Sequence, residues 1–91
     1  MGYNIYQSQI RGPFNNGTDL FNEIKNDCQS SSISIWHLGI QTDTGNEFKI
    51  NDKKVMIGKT GIYEIGNTKI TQFSCLQNLT ADTIIDYVVS K

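Results

Sequence analysis

Charge of either sign is scarce in this chain and nearly cancels. Eight basic and nine acidic residues leave a net charge of −1, and charged residues make up 19% of the 91 positions. Nucleic-acid-binding domains carry a basic stripe, and solvating tails carry long runs of one charge, so neither class is expected. Alanine is rarer still, since it occurs once, at Ala81. A chain with so little alanine is a weak helix former.

The sequence has few features that are typical of a metal site, a membrane segment or a disulfide-bonded domain. His37 is the single histidine, and no second histidine or cysteine stands at ligand spacing from it, so we expect neither a metal site nor a cofactor. No apolar run approaches the roughly 18 residues of a membrane helix, and the first residues lack a secretory signal. We therefore expect a protein made in the cytoplasm without a membrane partner. Cys28 and Cys75 are expected to be free thiols, with a disulfide as the alternative.

Strand-forming and turn-forming residues fill the composition instead. Isoleucine occurs thirteen times, and Asn, Gln, Ser and Thr together take thirty positions. Short alternating runs separated by Gly, Asn and Asp turns are typical of a small antiparallel β-sandwich or barrel. We predict a mainly β single domain over residues 1–91, with six or seven short strands. The predicted strands include an edge strand at residues 3–10, a hairpin that turns at Asn51-Asp52, and strands at residues 69–76 and 83–89.

One early segment has helical rather than alternating periodicity. Leu20, Phe21, Ile24 and Cys28 fall on one face of a predicted helix over residues 19–28. Thr18 or Asp19 is positioned to cap it.

The strand that follows the helix is apolar in both phases of the alternation. Strict alternation places two sets on opposite faces: Ile33, Ile35 and His37 on one, and Trp36, Leu38 and Ile40 on the other. We therefore predict a strand covered on both sides, with Trp36 in the core and His37 partly buried and hydrogen-bonded.

Catalytic patterns are weak. Gly58-Lys59-Thr60 is similar to the end of a phosphate-binding loop, but the following residues alternate like a strand, so we predict a turn between strands. Asp86 lies within an apolar strand, where an outward or edge position is expected. A small enzyme built on His37, Glu64 or Asp86 stays open as an alternative, because one sequence does not place these groups in space.

Aromatic side chains are the candidate ligand or interface contacts. When such rings are exposed on one face they stack on sugars or pack at protein interfaces, and when buried they belong to the core. The candidates are Tyr3, Tyr6, Trp36, Tyr63 and Tyr87.

A longer series of residues is more specific than the composition. Its most distinctive stretch is Ile57-Gly58-Lys59-Thr60-Gly61-Ile62-Tyr63-Glu64, and its second is Ile84-Ile85-Asp86-Tyr87. The series covers residues 35–91 and resembles a β-rich module of structural proteins from tailed phages and prophages of low-GC Gram-positive bacteria, often found at the end of tail-associated proteins. The resemblance implies a virion building block and no catalytic residue. Residues 1–34, the first strand and the helix, lie outside it.

Two functions follow as hypotheses. The first is a non-enzymatic virion structural or assembly protein, a tail, baseplate or capsid-surface component that contacts other virion proteins. The second is a carbohydrate- or receptor-binding module at a phage tail tip. A chain of this size buries only about 60% of its unfolded surface, so we also expect stabilisation by homo-oligomer formation.

Overall fold

Seven strands and one helix make up the regular structure of the described chain. The computed structural model describes residues 4–42, 45–59, 61–66 and 68–91. In chain order the elements are β1 (Ile5–Arg11), α1 (Leu20–Asp27), β2 (Ser34–Gln41), β3 (Asn46–Ile50), β4 (Lys53–Ile57), β5 (Ile62–Ile65), β6 (Phe73–Cys75) and β7 (Ile84–Ser90). The prediction of a mainly β chain with six or seven strands and one helix is confirmed.

The strands form two antiparallel sheets that are open at their edges. The order is β1-β7-β2-β5 in the larger sheet and β4-β3-β6 in the smaller. One hydrophobic core joins the helix to both sheets, with Leu20, Leu38, Phe48, Phe73 and Ile85 among its members. Strand β1 pairs with β7 along its whole length. The first 34 residues therefore belong to the same core as the rest of the chain.

Helix α1 is placed by its cap and by its apolar face. Asp19 is the N-cap, and its carboxylate accepts a hydrogen bond from the backbone N–H of Asn22 at 3.2 Å. Leu20 and Ile24 are completely buried, and Cys28 closes the C-terminal end. The predicted helix is confirmed, and Asp19 rather than Thr18 is its cap. No helix among the described residues is long and apolar enough to cross a membrane.

The predicted hairpin at Asn51-Asp52 is also confirmed. Ile50 pairs with Lys53, and the two residues between them have positive φ angles of 47° and 66°. Two consecutive left-handed residues define the type I′ turn that suits the twist of a two-residue hairpin. Asparagine and aspartate tolerate this conformation better than most residues.

The side chain of Asn51 explains why one predicted strand is shorter than expected. Its amide nitrogen donates to the backbone carbonyl of Lys69 at 2.8 Å, and its oxygen accepts from the backbone N–H groups of Thr71 and Gln72 at 2.8 and 3.1 Å. These hydrogen bonds take the place of the backbone hydrogen bonds that a strand over residues 69–76 would have made with a neighbouring strand. The ladder is limited to β6, Phe73–Cys75, while an isolated bridge joins Ile70 to Ile35.

Candidate interaction surface

A β-bulge in β2 turns Trp36 away from the core. Ile35 pairs with Val89 and His37 pairs with Val88, so Trp36 is an extra residue in the ladder with β7. The bulge shifts the phase of the alternation, and Ile35, Leu38 and Ile40 all face the core. The prediction that this strand is covered on both sides is therefore wrong.

Trp36 lies on the surface and not in the core, which corrects the prediction for this residue. Its side chain is 43% exposed. The indole N–H donates to the hydroxyl of Ser90 at 3.0 Å. This bond satisfies the polar N–H of the indole within the chain. The apolar ring is therefore the part of Trp36 that is available for contact.

Trp36 belongs to the face of the larger sheet that points away from the core, called here the outer face. Alternation and register assign to it the odd residues of β1, the even residues of β7 and β5, and, in β2, Trp36 together with the odd residues from position 37 to position 41. Its apolar members are Ile5, Trp36, Ile62, Ile84 and Val88. Its polar members are Gln7, Gln9, Arg11, His37, Gln41, Glu64 and Asp86.

The outer face carries large apolar side chains that are open to solvent. Ile5 and Ile62 are 65% and 68% exposed, and Trp36 lies between their strands. Three amide side chains, those of Gln7, Gln9 and Gln41, are exposed on the same face. Such a mixture of aromatic and aliphatic groups with few charges is the composition that marks the centre of protein interfaces.

The face of the smaller sheet that points away from the core has a different character. Lys54 pairs with Glu47 across the hairpin at 3.5 Å, and Lys49 pairs with Asp52 at 3.7 Å. Met56 is the large exposed apolar side chain there, at 72%. Interspersed opposite charges are typical of a surface that stays in water. The contrast makes the outer face of the larger sheet the candidate interaction surface.

The outer face has a small gap at Gly39, where the side chains of His37 and Asp86 lie on either side of the glycine. A side chain at Gly39 would lie 3.8 Å from Nε2 of His37 and 3.9 Å from an oxygen of Asp86, so the two side chains lean over the glycine. His37 is half-buried and Asp86 is exposed, as predicted for the burial of each; the hydrogen bond predicted for His37 stays a prediction. Among the described residues, no group of three or more His, Cys, Asp or Glu side chains could hold a metal ion.

Tyr87 is buried and does not reach the outer face. Its hydroxyl donates a hydrogen bond to the carboxylate of Asp27, which joins β7 to the end of α1. Burial raises the pKa of the Tyr87 phenol above its usual value, and the negative charge and hydrogen bond of Asp27 raise it further. Tyr87 is therefore a core residue, and its place among the candidate contacts is corrected.

The other tyrosine candidates are not gathered around Trp36. Tyr6 is half-buried on the inner side of β1, 6.3 Å from the ring of Tyr87, and the ammonium of Lys91 lies 4.6 Å from its ring centre. Tyr63 packs against the core and lines a cavity of about 210 Å³ with Val55 and other side chains. Tyr3 lies outside the described residues. The structure thus leaves Trp36 as the candidate on the outer face.

The remaining sequence motifs have structural roles. Gly58 and Lys59 follow the end of β4, and the N–H of Gly61 donates to the carbonyl of Gly58 at 3.1 Å before β5 begins. The predicted turn between strands is confirmed for these residues, while Thr60 lies outside the described residues. Cys28 and Cys75 are both free and buried, as expected.

Part of the outer face could have been found from the sequence. Once Asp86 is expected to point outward, the period of two places Ile84 and Val88 on the same side. This alternation already indicates that the outward face of the strand includes apolar side chains. The position of Trp36 could not be found in this way, because a bulge is a property of the pairing between β2 and β7.

Comparison of this chain with protein-family models, curated proteins and solved structures found no match.

Proposed function

We propose that this chain is a non-enzymatic structural or assembly protein that acts through protein contacts on the outer face of its larger sheet. The observation that carries the proposal is the exposed, charge-poor face around Trp36. A surface tryptophan held out by a bulge, between strands that expose Ile5 and Ile62, offers the apolar area from which protein interfaces gain free energy.

The proposal places the chain in a virion of the tailed-phage or prophage type. Support for this context comes from the resemblance of residues 35–91 to phage structural modules. In this proposal the two sheets act as the layers of a small sandwich, and the larger sheet turns its outer face toward neighbouring virion proteins. Homo-oligomers and other tail, baseplate or capsid-surface proteins are the partners.

The test is incorporation into particles. We expect the wild-type chain to be present in purified virus particles at a constant ratio to the other particle proteins, and Trp36→Ala to be lost from them. Met56→Ala is the matched control, because Met56 is exposed on the other sheet. Particles that lack the wild-type chain, or that keep Trp36→Ala as well as Met56→Ala, would contradict the proposal.

Carbohydrate binding is the second candidate, favoured by the amide side chains on the same sheet face as Trp36. Gln7, Gln9 and Gln41 are exposed on the same face, and amides beside an aromatic ring suit a sugar, which stacks on the ring and hydrogen-bonds to the amides. Trp36 is the single tryptophan, so its fluorescence reports directly on this face. A saturable change in emission with cell-surface glycans would support this candidate, and constant emission would exclude it for the glycans tried.

A further inference from the structure

The two sheets have four edge strands, and three of them are protected against pairing with another chain. Strand β4 carries Lys53 and Lys54, β5 has only four residues, and β6 has three residues and is bridged at Ser74 by Asp19. Short strands, lysines and covering elements are the usual means by which proteins block their sheet edges. Strand β1 differs, because it has seven residues and its one charged residue is Arg11 at its end.

The hydrogen-bond pattern shows which backbone groups of β1 face outward. The N–H of Lys91 donates to the carbonyl of Asn4, and the N–H of Gly12 donates to the carbonyl of Thr83. With the register between β1 and β7, these bonds assign the even residues of β1 to hydrogen-bonded pairs with β7. The N–H and carbonyl groups of the odd residues, from Ile5 to Arg11, therefore point to the open edge.

The middle of β1 is symmetric about Ser8. The strand reads Ile5-Tyr6-Gln7-Ser8-Gln9-Ile10-Arg11, in which Gln7-Ser8-Gln9 is the same in both directions. If a second copy pairs antiparallel with Ser8 opposite Ser8, then Gln7 faces Gln9 of the copy and Tyr6 faces Ile10. In this register all the outward N–H groups of one copy meet outward carbonyls of the other. Core-facing residues also stay opposite core-facing residues, because the register pairs odd with odd and even with even.

We infer that β1 is a homodimer contact, in which two copies join their larger sheets through antiparallel β1 strands into one eight-stranded sheet. The charge pattern favours a second copy, because Arg11 then lies opposite the aliphatic Ile5 and not opposite another arginine. The Gln7–Gln9 pairs bring amide groups together, and amides both donate and accept hydrogen bonds. A two-fold contact of this kind closes on itself and yields a dimer, not a fibre.

This inference rests on the proposed function only in that both make the chain an assembly component. It uses the edge at β1, whereas the proposed function uses the outer face around Trp36. A dimer that is absent from particles would overturn the proposed function alone, and a monomer that is incorporated into particles through Trp36 would overturn this inference alone.

The experiment is native mass spectrometry with sedimentation on the full chain, from micromolar to millimolar concentration. We expect the mass to shift from the 10.2 kDa of one chain to twice that value and to stop there. A monomer at every concentration would contradict the inference, and so would open-ended aggregates or a trimer.

Charge substitutions test the register itself. Gln7→Lys with Gln9→Lys places like charges opposite each other twice, and we expect the dimer dissociation constant to rise on the order of tenfold or more. Gln7→Glu with Gln9→Glu should weaken its own dimer in the same way. A mixture of the two double variants should form heterodimers, because each lysine then faces a glutamate.

The matched control adds two lysines away from β1. Gln41→Lys with Met56→Lys has the same net charge as the first double variant, and both positions are exposed. It should dimerise like the wild type. Equal weakening by the control, or a mixture that forms no heterodimer, would overturn the proposed pairing, and circular dichroism of each variant verifies that the fold is intact.

Discussion

Trp36 shows how a single extra residue changes what a strand presents to its surroundings. In a regular strand, Trp36 would share a face with Leu38 and Ile40 and would lie in the core. The bulge opposite Val88 moves it to the outer face, where its indole N–H bonds to Ser90. Trp36 is therefore on the surface because of the pairing geometry and not because of its local sequence.

At this scale we predict that Trp36 contributes little to the stability of the isolated chain. Trp36→Ser should lower the free energy of unfolding by only about 1 kcal/mol, because the indole lies on the surface and is 43% exposed. Leu38→Ala, two residues further along the same strand, should cost about 2 to 5 kcal/mol because Leu38 is completely buried. Urea unfolding of the two variants measures both losses of stability. A loss for Trp36→Ser as large as that for Leu38→Ala would show that the indole lies in the core.

Tyr87 predicts a loss of stability at alkaline pH. Below a pH of about 10 its phenol is protonated in the folded and unfolded chains alike, and it adds no pH dependence. Above that pH the unfolded chain loses this proton while the folded chain keeps it, because burial and Asp27 raise the folded pKa. Stability should therefore fall as pH rises, by at most about 1.4 kcal/mol per pH unit from this residue.

The measurement is urea unfolding at a series of pH values from neutral to strongly alkaline. Tyr87→Phe should show a shallower alkaline decline of the free energy of unfolding than the wild type. The same slope for wild type and Tyr87→Phe would mean that the phenol ionises alike in the folded and unfolded chains.

At the scale of elements, the sequence predicts what local chemistry decides. The helix face, a cap at Thr18 or Asp19, the hairpin turn at Asn51-Asp52 and the strand β7 all follow from short-range patterns. What could not be predicted depends on residues far apart in the chain. The bulge in β2 needs β7, and the short β6 follows from the bonds of Asn51 to a segment about twenty residues later.

Asn51 and Asp52 offer a matched pair of glycine substitutions within one turn. Asn51→Gly keeps the left-handed backbone but removes the bonds to Lys69, Thr71 and Gln72, so we expect a loss of about 1 to 3 kcal/mol. Asp52→Gly removes only an exposed ion pair with Lys49, and glycine suits this turn position, so stability should change by less than about 1 kcal/mol. Thermal or urea unfolding measures the loss of stability in each variant. Equal losses would mean that Asn51 stabilises the chain through its backbone conformation in the turn and not through the hydrogen bonds of its side chain.

At the scale of the whole molecule, the two sheets expose different kinds of side chain on the faces that point away from the core. The smaller sheet turns paired charges to solvent, and the larger sheet turns exposed Ile5, Trp36 and Ile62 outward. Both sheets and the helix share one core, so the outer face is held by strands and not by loops. A rigid, open surface of this kind suits binding to another surface better than it suits chemistry in a cleft.

Oxidative footprinting of the chain, free and within purified particles and read peptide by peptide by mass spectrometry, tests whether the outer face is the contact surface. We predict that Trp36 is oxidised readily in the free chain and is protected in the particle, while Met56 on the other sheet is oxidised equally in both. Equal oxidation of Trp36 in the two states, or protection of Met56 in its place, would contradict the claim that the outer face of the larger sheet is the contact surface.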